Sequence, residues 1–120
     1  MSTYEVQMLS SSSDAIYTVV CRHEDGIAFG MNCDCPAGQF GDLCKHLISI
    51  FGRDARFLCP DKPEYTQDFQ SMCDSFEGSA FRRAYDGMLD QLDAIKAEQD
   101  ALKQAAKDVK LAFVRSLNTQ

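Results

Sequence analysis

Tyr4, Val6 and Met8 alternate with Glu5 and Gln7, the period-two signature of a strand with one buried face. Ser10 to Ser13 interrupt that alternation with a polar run suited to a turn. The β-branched and aromatic stretch Ile16-Tyr17-Thr18-Val19-Val20-Cys21 predicts a second strand. Glu24-Asp25-Gly26 carries an Asp-Gly hairpin signal, and Ile27 to Met31 follows as a third strand. The pattern then changes period. Leu47, Ile48, Ile50 and Phe51 fit the inner face of a short helix ending at Gly52, and residues 53–62 read as a connector. Pro63 suits the first turn of another helix, with Tyr65, Phe69, Met72, Cys73 and Phe76 on one face and Gly78 as its stop.

The last segment, Ser79 to Leu117, has no proline and a single glycine, Gly87. Its apolar positions are Phe81, Tyr85, Met88, Leu92, Ile95, Leu102, Ala106, Val109 and Phe113, and Gln99 alone breaks their alternating spacing of four and three. About five heptads with one polar seam position predict a coiled coil or a long helical hairpin. A helix of this length spans about 58 Å, more than a three-strand meander can cover. Part of the stripe, with Leu102, Ala106, Val109 and Phe113 as candidate interface residues, is therefore expected to meet a second chain, most simply as a homodimer.

Composition narrows the class. Of 120 residues, 45% are hydrophobic and 25% charged, the balance of a folded globular chain rather than a disordered one. No apolar run approaches the ~20 residues needed to cross a bilayer, so no membrane partner is expected. The net charge is −6, and each half of the chain carries −3, which argues against a sequence-blind duplex coat. Met1 to Ser13 show no basic region followed by an apolar one, so no secretory leader is expected. The anticipated setting is reducing and intracellular: cytoplasmic, or nuclear in a eukaryote.

Six cysteines suit either a secreted disulfide scaffold or a metal site, and the reducing setting favours metal. The informative stretch runs from Cys33 to His46: C-x-C, eight residues, then C-x-H. Thiols two residues apart at a strand end point the same way. Pro36, Gly38 and Gly41 turn the chain back, and Cys44 and His46 can complete four ligands if Asp42 caps a helix beginning near Leu43. Three thiolates and an imidazole suit a tetrahedral Zn²⁺. Lys45, between two ligands, partly offsets the resulting −1 charge.

These residues resemble the SWIM-type zinc finger, whose pattern is C-x-C, a variable gap, then C-x-H. A preceding β-hairpin, Cys-Pro after the second ligand and Cys-Lys-His-Leu opening an apolar helix strengthen the likeness, which covers about residues 4–52. Residues 53–120 resemble no named family. The resemblance implies one structural Zn²⁺ held by Cys33, Cys35, Cys44 and His46. Cys21, Cys59 and Cys73 read as packing residues, and His23 as a solvated residue beside a turn.

The expected fold is α+β: a small antiparallel β-meander with a zinc-bound β/α finger, then helices ending in a long amphipathic one. The anticipated division is a finger domain over 1–58 and a helical region over 59–120. No P-loop, dinucleotide fingerprint or catalytic pairing stands out, so an enzyme is not expected. The leading reading is an interaction module that binds a protein partner and self-associates. The resemblance also admits a DNA-binding accessory protein of the recombination or transposition type, with Arg22, Lys45, Arg53 and Arg56 as its contacts. Any such binding should be weak and salt-sensitive. A third reading is a small acidic inhibitor of phage type that mimics nucleic acid.

Overall fold

The computed structural model describes residues 2–118. Three strands, β1 (Ser2–Leu9), β2 (Ile16–Glu24) and β3 (Ile27–Cys33), form one antiparallel sheet in the order β1-β2-β3. The β2–β3 turn is the Asp25-Gly26 pair, with φ of 52° and 77°. Positive φ at both central residues is what a two-residue hairpin needs to match strand twist. Val6 pairs with Val19 and Val19 with Cys33, so the apolar side chains and the first candidate ligand share one face. β3 runs two residues further than expected, ending on Cys33 itself.

Helices α1 (Pro36–Gln39), α2 (Lys45–Phe51), α3 (Glu64–Glu77) and α4 (Ala80–Asn118) follow. The arrangement is the α+β one expected. α3 lies across the sheet, and Tyr65, Phe69, Met72, Cys73 and Phe76 are buried along its inner face. They meet Val6, Met8, Val19, Cys21 and Ile50, and Phe51 stacks on Phe76 at 4.2 Å. Cys21, Cys59 and Cys73 are buried in this core as free thiols, with Cys21 Sγ 3.4 Å from Ser75 Oγ.

Within α2, Ile48 is exposed, and the buried positions are His46, Ser49 and Ile50. The first turn is set by what the His46 ring must reach, which rotates Ile48 outward. Residues 53–62 are more than a connector: Leu9 N–H donates to the Phe57 carbonyl at 2.7 Å and Cys59 N–H to the Gln7 carbonyl at 2.9 Å. These bonds cover the outer edge of β1, which would otherwise offer unpaired backbone groups. Ser79 caps α4, its Oγ accepting from Phe81 N–H at 3.2 Å.

Contacts divide the chain into two units, Met1–Arg83 and Ala84–Gln120. The first includes α3, which supplies much of the cover for the sheet. The second is the body of α4, and no residue of α4 is buried. No helix among the described residues is long and apolar enough to cross a membrane.

Candidate metal centre

Cys33 ends β3, Cys35 and Pro36 open α1, and Cys44 and His46 open α2. Their ligand atoms all lie within 4.8 Å of one another, and all four residues are buried. The structure brings together the whole set named from spacing. Gly38 makes the return possible, since a methyl group there would overlap the Cys33 carbonyl. Gly41, at φ 78°, turns the chain toward Cys44 in a backbone region that L side chains rarely adopt.

The helix caps are sulfur. Cys35 Sγ accepts from Gly38 N–H and Cys44 Sγ from Leu47 N–H, each at 3.4 Å. Asp42 does not cap α2. Cys44 holds the N-cap position with extended backbone, so one side chain serves as both cap and ligand. Such N–H···S bonds place positive dipole density on the sulfurs and favour their ionised form.

His46 fixes which nitrogen faces the cluster. Its Nδ1 lies 3.6 Å from Cys33 Sγ, while Nε2 lies 3.0 Å from the Leu9 carbonyl. A carbonyl only accepts, so the ring proton sits on Nε2 and Nδ1 is left as the donor atom for a metal. Tyr17 and Phe57 flank the ring at 5.6 and 5.4 Å. Asp34, between the first two ligands, ties the loop to β2: its Oδ1 accepts from Thr18 N–H at 2.8 Å, and its carbonyl accepts from Gln39 Nε2 at 2.7 Å.

The donor set fits zinc on two grounds. Bonds of about 2.3 Å to sulfur and about 2.0–2.1 Å to nitrogen at a tetrahedral angle set S and N about 3.5–3.6 Å apart, close to the 3.6 Å between Cys33 Sγ and His46 Nδ1. The thiols also need a cation. Burial, and then the neighbouring Cys35 and Cys44, push Cys33 up to about 12, and burial likewise raises Cys44. Burial acts to raise Cys35 as well. Hydrogen bonds from Gly38 N–H and from the neighbouring Cys33 and Cys44 thiols outweigh it and draw that thiol down to about 7. Protein groups alone therefore ionise one sulfur readily and hold back the other two. A divalent cation at the centre removes that restraint by deprotonating coordinated thiols.

A closed tetrahedral site on a β/α framework defines a small structural zinc finger. Residues 17–53 match the family model described as the SWIM zinc finger, and the buried Cys33, Cys35, Cys44 and His46 cluster within that stretch is consistent with one structural zinc ion. No curated protein and no solved structure matches the chain.

The four cations suggested for nucleic acid do not form one patch. Arg22 lies near the hairpin end of β2, beside Gly30 and 3.4 Å from Asn32 Oδ1. Lys45 bonds Ser11 at the opposite end of the sheet. Arg53 pairs with Asp74 at 2.8 Å, and Arg56 with Asp54 at 2.7 Å. Of the four, Lys45 and Arg56 share a cleft, and Asp54 lines it with them. His23 is not a solvated surface residue. Its ring stacks on Tyr4 at 3.9 Å, and its Nδ1 is buried without a hydrogen-bond partner among the described residues.

The Leu9 carbonyl, Asp34 and Gln39 were not singled out from sequence. Asp34, the residue inside C-x-C, was the one such position with a usable signal, because a carboxylate there can bond the neighbouring strand's backbone.

Proposed function

We propose that the protein is a non-catalytic, zinc-stabilised interaction module that binds a protein partner and self-associates through α4. The observation that carries this reading is the exposure of the helix seam. Leu102, Val109 and Phe113 are 66%, 71% and 65% exposed, and they recur with Ala106 at alternating spacings of four and three. Burying a large apolar side chain contributes ~1.5–3 kcal/mol, so a stripe of this length favours a partner that presents the same repeat. A non-catalytic role is supported by the donor set: four protein ligands complete the tetrahedron, leaving no coordination position for an activated water. The nucleic-acid reading has less support, because acidic partners neutralise Arg53 and Arg56.

Sedimentation equilibrium of the zinc-loaded chain at tens of micromolar tests self-association. A mass of two chains is expected, and the mass of one chain would overturn it. Replacing both Leu102 and Val109 with Asp should then give a monomer that keeps its zinc.

A further inference from the structure

We infer that the α4 pair is a parallel, in-register, two-stranded coiled coil of two copies of this chain, with Gln99 facing its own counterpart across the seam. This inference rests on the self-association reading and adds the partner's identity, orientation and register. In the heptad frame, Leu92, Gln99 and Ala106 occupy one seam position, and Ile95, Leu102 and Val109 the other. In a parallel pair like positions meet, so the Gln99 amide faces a second amide that can both donate and accept. In an antiparallel pair each seam position meets the other kind. Gln99 would then face Ile95, Leu102 or Val109 of the second copy, depending on register, and its amide would be buried without a partner.

The flanking charges select the same orientation. Lys96, Lys103 and Lys110 line one side of the seam, and Gln91, Glu98 and Ala105 the other. A parallel pair sets each side against the opposite side of its neighbour. Lys103 then meets Glu98 twice by symmetry, while Lys96 meets Gln91 and Lys110 meets Ala105, so no like charges oppose one another. An antiparallel pair sets the lysine side against itself. Lysine then faces lysine in any register that aligns the seams, and Glu98 loses its cation. Chain connectivity places both Met1–Arg83 units at the same end of a parallel pair, so two zinc fingers address one target with the gain in avidity that linkage provides.

Lys103→Glu gives opposite signs for the two orientations. In a parallel pair the introduced carboxylate opposes Glu98 at two symmetric places, and the dimer dissociation constant should rise several-fold at low ionic strength. Adding Glu98→Lys should bring it back toward the original value. In an antiparallel pair Lys103→Glu relieves lysine repulsion, so tighter association would overturn the proposal. As a second measurement, Ser116→Cys in zinc-loaded full-length protein should form a covalent dimer in a mild glutathione buffer, with the unsubstituted chain as the control that stays uncrosslinked. In an antiparallel pair these two thiols lie at opposite ends of a rod of about 50 Å and do not meet. A dimer by sedimentation that fails to crosslink overturns the orientation alone. A monomer by sedimentation overturns the self-association reading and this inference with it.

Discussion

Gly38→Ala is a sharp test of how the metal loop is built, because it alters no ligand and no charge. The added methyl would overlap the Cys33 carbonyl oxygen, a backbone atom that cannot rotate away. Relief requires moving either the end of β3, which carries Cys33, or the α1 turn, which carries Cys35. The Gly38 N–H bond to Cys35 Sγ moves with it. Inserting a methyl into a closely packed site costs ~1–3 kcal/mol. For the 83-residue unit, a cost of about 2 kcal/mol lowers the melting temperature by about 8–16 °C. If the cost falls on the metal-bound state, it weakens zinc binding roughly 30-fold. Competition against a chromogenic chelator gives the affinity, and circular dichroism melting of the zinc-loaded protein gives the temperature. Gly87→Ala is the matched control: nothing lies within 4 Å of the added carbon, and a helix interior gains up to about 1 kcal/mol from this change. Its zinc affinity should be unchanged. A Gly38→Ala protein that binds zinc and melts like the parent would refute the claim that the loop depends on this close approach.

Cys44→Ser removes a ligand and the N-cap sulfur of α2 together; elemental analysis should show no bound zinc, and the sheet unit should lose its folded signature, since metal binding in such sites supplies folding free energy. Cys59→Ser leaves the ligand set intact, so its zinc content should equal the parent's. Burial pushes the Cys73 thiol from 9.0 up to about 11, with Arg53 offsetting part of the rise. Its contribution is fully present below pH 9, where folded and unfolded thiols are both protonated. It is lost as pH rises toward 11, because only the unfolded thiol ionises there, at about 1.4 kcal/mol per pH unit. Denaturant titrations from pH 8 to 11 should therefore show a shallower decline for Cys73→Ala than for the parent, and equal slopes would contradict the assignment.

Much of the first unit was legible because its signals are local. Period-two alternation marks β1, and the Asp25-Gly26 turn fixes the hairpin through backbone conformations that few residue pairs adopt. The ligands were legible for a chemical reason, since C-x-C and C-x-H each place two donors within reach at a chain reversal. What escaped runs through backbone atoms or across long separations. The Leu9 carbonyl that orients His46 lies 37 residues away, and a carbonyl oxygen leaves no mark on residue type. The pairing of Cys59 N–H with the Gln7 carbonyl is invisible for the same reason. The ion pair between Arg53 and Asp74 spans 21 residues, so the local count of cations overstated the charge available for a ligand. Asp42 is a good cap by composition and was displaced because the metal site fixes where Cys44 must stand, and a buried sulfur there accepts the Leu47 N–H as the cap of α2.

α3 and α4 show why the same kind of pattern led to different outcomes. Both present an apolar stripe at spacings of three and four. In α3 that stripe is 14 residues long, about 21 Å, and the strands beneath it are seven to nine residues long. Stripe and sheet match in length, so α3 is buried against the sheet within the unit that runs to Arg83. α4 carries its stripe through 39 residues, about 58 Å, and no three-stranded sheet of this size offers a matching surface. A continuous heptad repeat is instead matched by another helix with the same repeat. Periodicity thus describes the surface that the proposed partner of α4 would present. In the proposed pair, Gln99 within the seam and Glu98 and Lys103 beside it carry the information about orientation and register.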